Sequence, residues 1–246
     1  MDSLLQHVSI RNFKEDPVQE ELLEQILNMG IRASTTGNMQ WYSIIVTRDP
    51  ERKNKLLPLH FNQNVAKTAP VILTFCADIN RFSIWCVQNN AEPGYDNFLS
   101  FFNAATDALL AAQNVCVAAE NAGLGICYLG TAIYNAPEIV TLLNLPPRVV
   151  PVTAVALGWP AEFPALTDRL PLNAVVHNET YRDYSSEIIK DIYADKESLE
   201  SSIKFVKENK KETLAQVFTD VRYKKPDNEY FSAKYLGLLK KQGFLL

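Results

Sequence analysis

Near its start the chain reads "HVSIRNF", residues 7 to 13, which sets His7, Ser9 and Arg11 at every second position. In an extended segment those three side chains share one face. They would form a row of hydrogen-bond donors ending in a planar guanidinium suited to a phosphate. Val8 and Ile10 would face a core. An ordinary amphipathic edge strand has the same pattern, so the row alone decides nothing. Four more stretches gather donors. "RASTTGNMQW", residues 32 to 41, crowds Thr35, Thr36, Asn38 and Gln40 around Gly37, in a loop that also reads as a hydroxyl-rich turn. "HFNQNVAKTAP" places Gln63 between Asn62 and Asn64 at a helix start, with Lys67 in reach. "CYLGT" ends a strand with Tyr128, Leu129, Gly130 and Thr131, and glycine there lets backbone N–H groups approach a flat ring. "TDRLP" sets Arg169 in a turn, where a surface ion pair is the common alternative. Two arginines and many neutral donors suit a phosphorylated aromatic cofactor better than a metal or a nucleophile.

Composition narrows the field. The 246 residues are 47% hydrophobic and 21% charged, an ordinary globular balance. A formal charge of -4 offers no basic surplus for nucleic acid. Cys76, Cys86, Cys116 and Cys127 show no C-x-x-C spacing and no metal-ligand pattern with the histidines, so reduced, buried thiols are expected and no metal. The first residues lack the basic start and apolar run of a secretory leader, which reads as cytoplasmic. No P-loop, H-E-x-x-H, G-x-S-x-G or G-x-G-x-x-G is present. "GLGICYLG" only approaches the last, because its glycines flank a strand rather than open a helix.

These stretches need elements to position them. The spacing predicts a helix from Asp16 as N-cap and Pro17 at N1 to Gly30. "YSIIVT", "PVILTFCAD", "LGICYLGT" and "VVPVTAVALGW" read as strands. Residues 50–57 and 79–90 and "NAPEIVTLLNLP" read as helices. Residues 98–123 form a long apolar helix, but Asn103, Asp107, Gln113, Asn114 and Glu120 recur along it, as in the buried axis of a globular protein rather than a membrane span. Ala104, Ala108, Ala111, Ala112, Val115, Ala119 and Ala122 give it a small-residue stripe fit for internal packing or for a subunit contact. After Trp159 an extended, proline-containing connection leads to a polar helical tail from about residue 184. A core over 1–183 with a helical excursion at 184–246 follows, and strands alternating with helices indicate a layered domain.

Taken in order, "HVSIRNF", "RASTTGNMQ", "FNQNVAKTAP", "NAGLGICYLG", "LNLPPRVVPVTAVALGWPAEFPALTDRLP" and "VVHNETY" resemble the nitroreductase family over roughly the first 180 residues, in particular its NADPH-dependent, FMN-containing nitroreductases and flavin reductases. The resemblance implies an α+β fold of three layers, a central mixed or antiparallel sheet flanked by helices, in an intertwined homodimer centred on the alanine-striped helix. It implies that His7, Ser9, Arg11 and Arg169 grip the FMN phosphate and ribityl chain. Thr35, Thr36, Asn38 and Gln40 would reach the partner's flavin, Gln63 the ring, and Tyr128 to Thr131 the ring near N5. The implied activity is ping-pong hydride transfer from NAD(P)H to nitroaromatics, quinones or free flavin, with the cofactor carrying the chemistry and no catalytic side chain.

Two departures bear on tuning. Val8 stands where close relatives often have a second Arg. Thr167 stands where they have a Lys beside the reduced ring, and Asp168 could pair with Arg169. Lys204, Lys210, Lys211 and Arg222 form a basic stretch that would hold the NADPH 2′-phosphate, unless it is simply a solvated helix face. Rival readings are a flavin- or nucleotide-binding module or assembly subunit without turnover, and a specialised flavin enzyme such as a dehalogenase or flavin-fragmenting synthase.

Overall fold

The computed structural model describes residues 2–245. Elements follow in chain order. A short helix α1 (Asp2–Leu5) and helix α2 (Glu20–Gly30) precede strand β1 (Tyr42–Thr47). Helices α3 (Pro50–Leu56) and α4 (Asn64–Thr68) lead to β2 (Val71–Asp78), then to α5 (Asn80–Gln88) and α6 (Phe98–Asn121). Strand β3 (Gly125–Leu129), helices α7 (Thr131–Tyr134) and α8 (Ala136–Leu142), and β4 (Val149–Gly158) follow. Helices α9 (Ser186–Ser198), α10 (Glu200–Glu208), α11 (Leu214–Val217) and α12 (Lys225–Lys241) complete the chain.

The four strands form one sheet in the order β1-β2-β4-β3, every neighbouring pair antiparallel. β2 and β4 are buried at every residue, as central strands covered on both faces must be. Alternation then splits the core in two. Leu73, Phe75, Val155 and Leu157 face α6, while Ile72, Ala154, Ala156, Cys127 and Leu129 face Leu56, Val65, Ala66 and Ile139 of α3, α4 and α8. Helix, sheet and helix make the three layers.

α6 is capped by Asn97, whose side chain accepts from the Ser100 N–H at 3.1 Å. Most of its alanine stripe lies inside the chain: Ala104, Ala108, Ala111, Ala112 and Ala119 are fully buried, and Ala122 at its end is half-buried. The stripe therefore serves internal packing. The larger Phe98, Leu99, Phe102, Leu109 and Leu110 are exposed instead. A Cβ on Gly30 would sit 2.2 Å from Val115 Cγ2, so glycine lets α2 lie against that stripe.

The expected start of α2 at Asp16 and Pro17 is corrected: the helix begins at Glu20, with Gln19 at the N-cap and no side-chain cap. Val18 and Leu23, one residue before the cap and four after it, are both buried in the α6-side core. This hydrophobic staple fixes the entry angle and holds residues 16–18 outside the helix.

The described chain divides into two compact units, residues up to Ala165 together with Phe231 onward, and Leu166–Tyr230. In the first unit, Tyr235 Oη donates to Pro151 O at 2.9 Å and the Arg148 N–H to Gln242 O at 2.8 Å, fastening the end of the chain to β4. In the second, Tyr184 Oη donates to Ala174 O at 2.8 Å, and Ser185 caps α9. No helix among the described residues is long and apolar enough to cross a membrane.

Candidate functional site

The opening segment lies beside β3. Ser9 forms a parallel bridge with Ile126, and the Ile10 N–H donates to Ile126 O at 2.9 Å. A Cβ on Gly125 would fall 2.6 Å from Ile10, so glycine lets the segment seat this closely. The chain then turns, and Phe13 bridges Pro160 in the antiparallel sense. His7, Ser9 and Arg11 meet different partners. His7 Nδ1 lies 2.6 Å from Glu120 Oε1 on α6, an ion-pair geometry that draws the ring to the α6 side. Ser9 and Arg11 instead border Cys127. Burial pushes the Cys127 thiol up, and the Arg11 charge and a Ser9 hydrogen bond oppose that rise.

Arg11 is exposed, and among the described residues no carboxylate pairs with it. Its carbonyl accepts from Asn64 Nδ2 at 3.4 Å, which brings the start of α4 to its side. Gln63 is exposed there as the N-cap residue of α4. At the end of β3, Gly130 is exposed, and a Cβ on it would meet nothing within 4 Å. Tyr128 points the other way, to α6, where its hydroxyl lies 3.3 Å from Gln113 Oε1 and burial raises its pKa. Leu129 is core. Thr131 is buried, its Oγ1 2.8 Å from His60 Nδ1. So the last four residues of the predicted ring contact divide: Gly130 faces open space, and its neighbours are held by the protein.

The loop before β1 is anchored by a residue that sequence reasoning passed over as one more polar group on α6. Asp107, fully buried, accepts from the Thr36 N–H at 2.8 Å and its hydroxyl at 3.1 Å through Oδ1, and from the Trp41 N–H at 3.2 Å through Oδ2. Thr36 is thus bound to α6. Thr35, half-buried, precedes the turn, while Asn38 and Gln40 stay exposed. Gly37, Asn38 and Gln40 all have φ near +55°, the left-handed region that Gly and Asn tolerate best. A carboxylate among the stripe alanines, three after Ala104 and four before Ala111, was the available signal for Asp107.

The second unit holds Thr167, Arg169 and the basic stretch. Arg169 Nη1 donates to Thr167 Oγ1 at 2.8 Å and to Asp168 O at 2.9 Å. The Asp168 carboxylate does not take Arg169: it pairs with Lys196 at 2.6 Å, and that bond holds its pKa low. Lys211 pairs with Asp220 at 2.9 Å and Lys204 approaches Glu208 at 3.9 Å. Lys210 is exposed at φ +53°, and the Arg222 guanidinium lies 4.9 Å over the Phe205 ring.

The nitroreductase family model matches residues 4–159. The chain belongs to the nitroreductase family. It is 38% identical over 181 residues to the FMN reductase [NAD(P)H] of Bacillus subtilis, covering 73% of each chain. It is 33% identical to the oxygen-insensitive NADPH nitroreductase of Salmonella typhimurium, covering 77% of each. A Bacteroides fragilis protein of known crystal structure matches with TM-score 0.98 at 52% identity over 100% of both chains. This nitroreductase has its sheet, long axial helix and N-terminal bridge to β3 in the part that the family model matches, while its basic stretch lies beyond that part.

Proposed function

We propose that this chain is an NAD(P)H-dependent reductase of flavins and nitro compounds, with FMN held in the first unit by Ser9, Arg11, Gln63 and the backbone at Gly130. The observation that carries the reading is the uncountered Arg11 guanidinium beside Ser9, with Gln63 on the neighbouring helix start. A phosphate monoester is close to dianionic near neutral pH and needs such a fixed cation with neutral donors around it. The open space at Gly130 leaves backbone polar groups accessible to a planar ring. Bound FMN would supply the redox chemistry, accepting a hydride from the nicotinamide and passing electrons to a small acceptor. The residues of this chain bind and orient; His7 stays with Glu120 and braces the segment against α6.

A homodimer is part of the proposal. It is supported by the apolar residues that α6 exposes, Phe98, Leu99, Phe102, Leu109 and Leu110, with Leu99 68% and Phe102 58% exposed. NADPH is favoured as donor, with Lys210 and Arg222 the two of the four named basic-stretch residues that no carboxylate pairs with among the described residues. Four free, buried cysteines fit a reducing, cytoplasmic setting.

The test is flavin titration. FMN should bind far more tightly than riboflavin, which lacks the phosphate, and Arg11→Ala should close that gap by weakening FMN about tenfold or more while leaving riboflavin little changed. Equal affinity for FMN and riboflavin in the unaltered protein would contradict the phosphate assignment.

A further inference from the structure

His60 ends the 3₁₀ turn Leu57–His60, is wholly buried and has no part in the cofactor contacts named above. Its Nδ1 lies 2.8 Å from Thr131 Oγ1, the first residue of α7 and the neighbour of Gly130. Its Nε2 is buried without a hydrogen-bond partner. That orphan assigns the tautomer. With the proton on Nε2, a buried donor would be left without an acceptor; with the proton on Nδ1, only a lone pair is left, the cheaper of the two. Nδ1–H therefore donates to Thr131 Oγ1, and the hydroxyl proton of Thr131 is free to turn to another acceptor.

The same two segments are tied twice more. Asn135 Nδ2 donates to Leu59 O at 2.7 Å, and the Phe61 and Tyr134 rings lie 6.2 Å apart. Between His60 and Gln63 the backbone is strained: Phe61 and Asn62 have φ of 55° and 54°, a conformation that side-chain-bearing residues rarely adopt in succession. Such a turn persists only where its surroundings hold it. Gln63 follows directly, and Gly130 lies on the far side of the tie.

We infer that His60 is a positioning residue that, through Thr131, locks the strained turn before Gln63 to the Gly130 turn, so that the two flavin-facing segments keep a fixed relation. Burial pushes the His60 pKa down to about 4, so the ring stays neutral and the tie holds at physiological pH. The inference rests on the flavin reading for its consequence, although the tie itself belongs to the chain alone.

Two measurements separate those levels. In protein without flavin, His60→Phe and Thr131→Val should each speed amide exchange at Ile133 and Asn135, whose N–H groups donate to Gly130 O and Thr131 O, by about tenfold, while exchange in β2 and β4 is unchanged. In FMN-loaded protein, both should shift the visible flavin band and lower the rate of reduction by NADPH about tenfold, with KM little altered. His60→Asn, whose amide nitrogen can stand near the place of Nδ1, and Thr131→Ser should each restore most of the loss. If His60→Phe does not fold, Thr131→Val carries the test. Unchanged exchange at Ile133 and Asn135 in these variants would overturn the tie. Altered exchange with an unshifted flavin band and wild-type reduction would overturn its positioning role. A wild-type chain that takes up no FMN would instead overturn the flavin reading.

Discussion

Asp107 on α6 holds Thr36 by two bonds at once, 2.8 Å to its backbone N–H and 3.1 Å to its hydroxyl, and this carboxylate is 1% exposed. The second oxygen takes the Trp41 N–H, so both ends of a turn with three left-handed residues close on one side chain. A buried carboxylate of this kind is tolerable only because its lone pairs are filled.

Asp107→Asn should therefore loosen the whole 36–41 loop. An amide presents an NH2 group to one of the donors that the carboxylate accepts, and the expected cost is about 2–3 kcal/mol. Thr36→Val, which removes only the hydroxyl bond, should cost about 1 kcal/mol. Urea unfolding of both variants checks the ratio, and equal costs would mean that the backbone bonds to Asp107 carry little.

Much of this architecture is legible in the sequence, because it is local. The strands of "YSIIVT" and "PVILTFCAD", the long helix and the turn at Gly123 are read from periodicity and punctuation within a few residues. The ties that shape the site are not local. His7 and Glu120 are 113 residues apart, and Thr36 and Asp107, like His60 and Thr131, are 71 apart. No spacing rule reaches that far. The start of α2 was misplaced because Asp16 and Pro17 are good cap residues, and the buried pair Val18 and Leu23 outweighs them. The family resemblance named Ser9, Arg11 and Gln63, but only the fold shows that His7 turns to α6 and that Asp168 pairs with Lys196.

Stability should fall with acid in a window set by His60. The unfolded chain takes up a proton near the usual 6.5, and the buried ring only near about 4. The unfolded state binds more protons between those values, so stability is full above pH 6.5, declines as pH falls, and levels off near pH 4. The loss across that window is roughly 3 kcal/mol. Denaturant melts of wild type and His60→Phe between pH 7.5 and 4.5 (roughly the accessible part of the window) should show the slope only in wild type. Parallel profiles would assign the acid sensitivity elsewhere.

The exposed face of α6 should be an interface. Light scattering after size exclusion should give a dimer for wild type, and Leu99→Glu or Phe102→Glu should give monomers, since a charge there is driven into an apolar contact. A monomeric wild type at micromolar concentration would remove the homodimer from the account.

This nitroreductase moves electrons from NAD(P)H to a small acceptor through FMN, on the reading proposed above. That transfer is tested most directly by an anaerobic visible spectrum of the FMN-loaded protein, taken before and after one equivalent of NADPH and again after a nitroaromatic or quinone is added. NADPH should bleach the flavin band, faster than NADH does, and the acceptor should restore it. A band that neither nucleotide bleaches in protein that has bound FMN would contradict the account, leaving a flavin-binding protein without turnover.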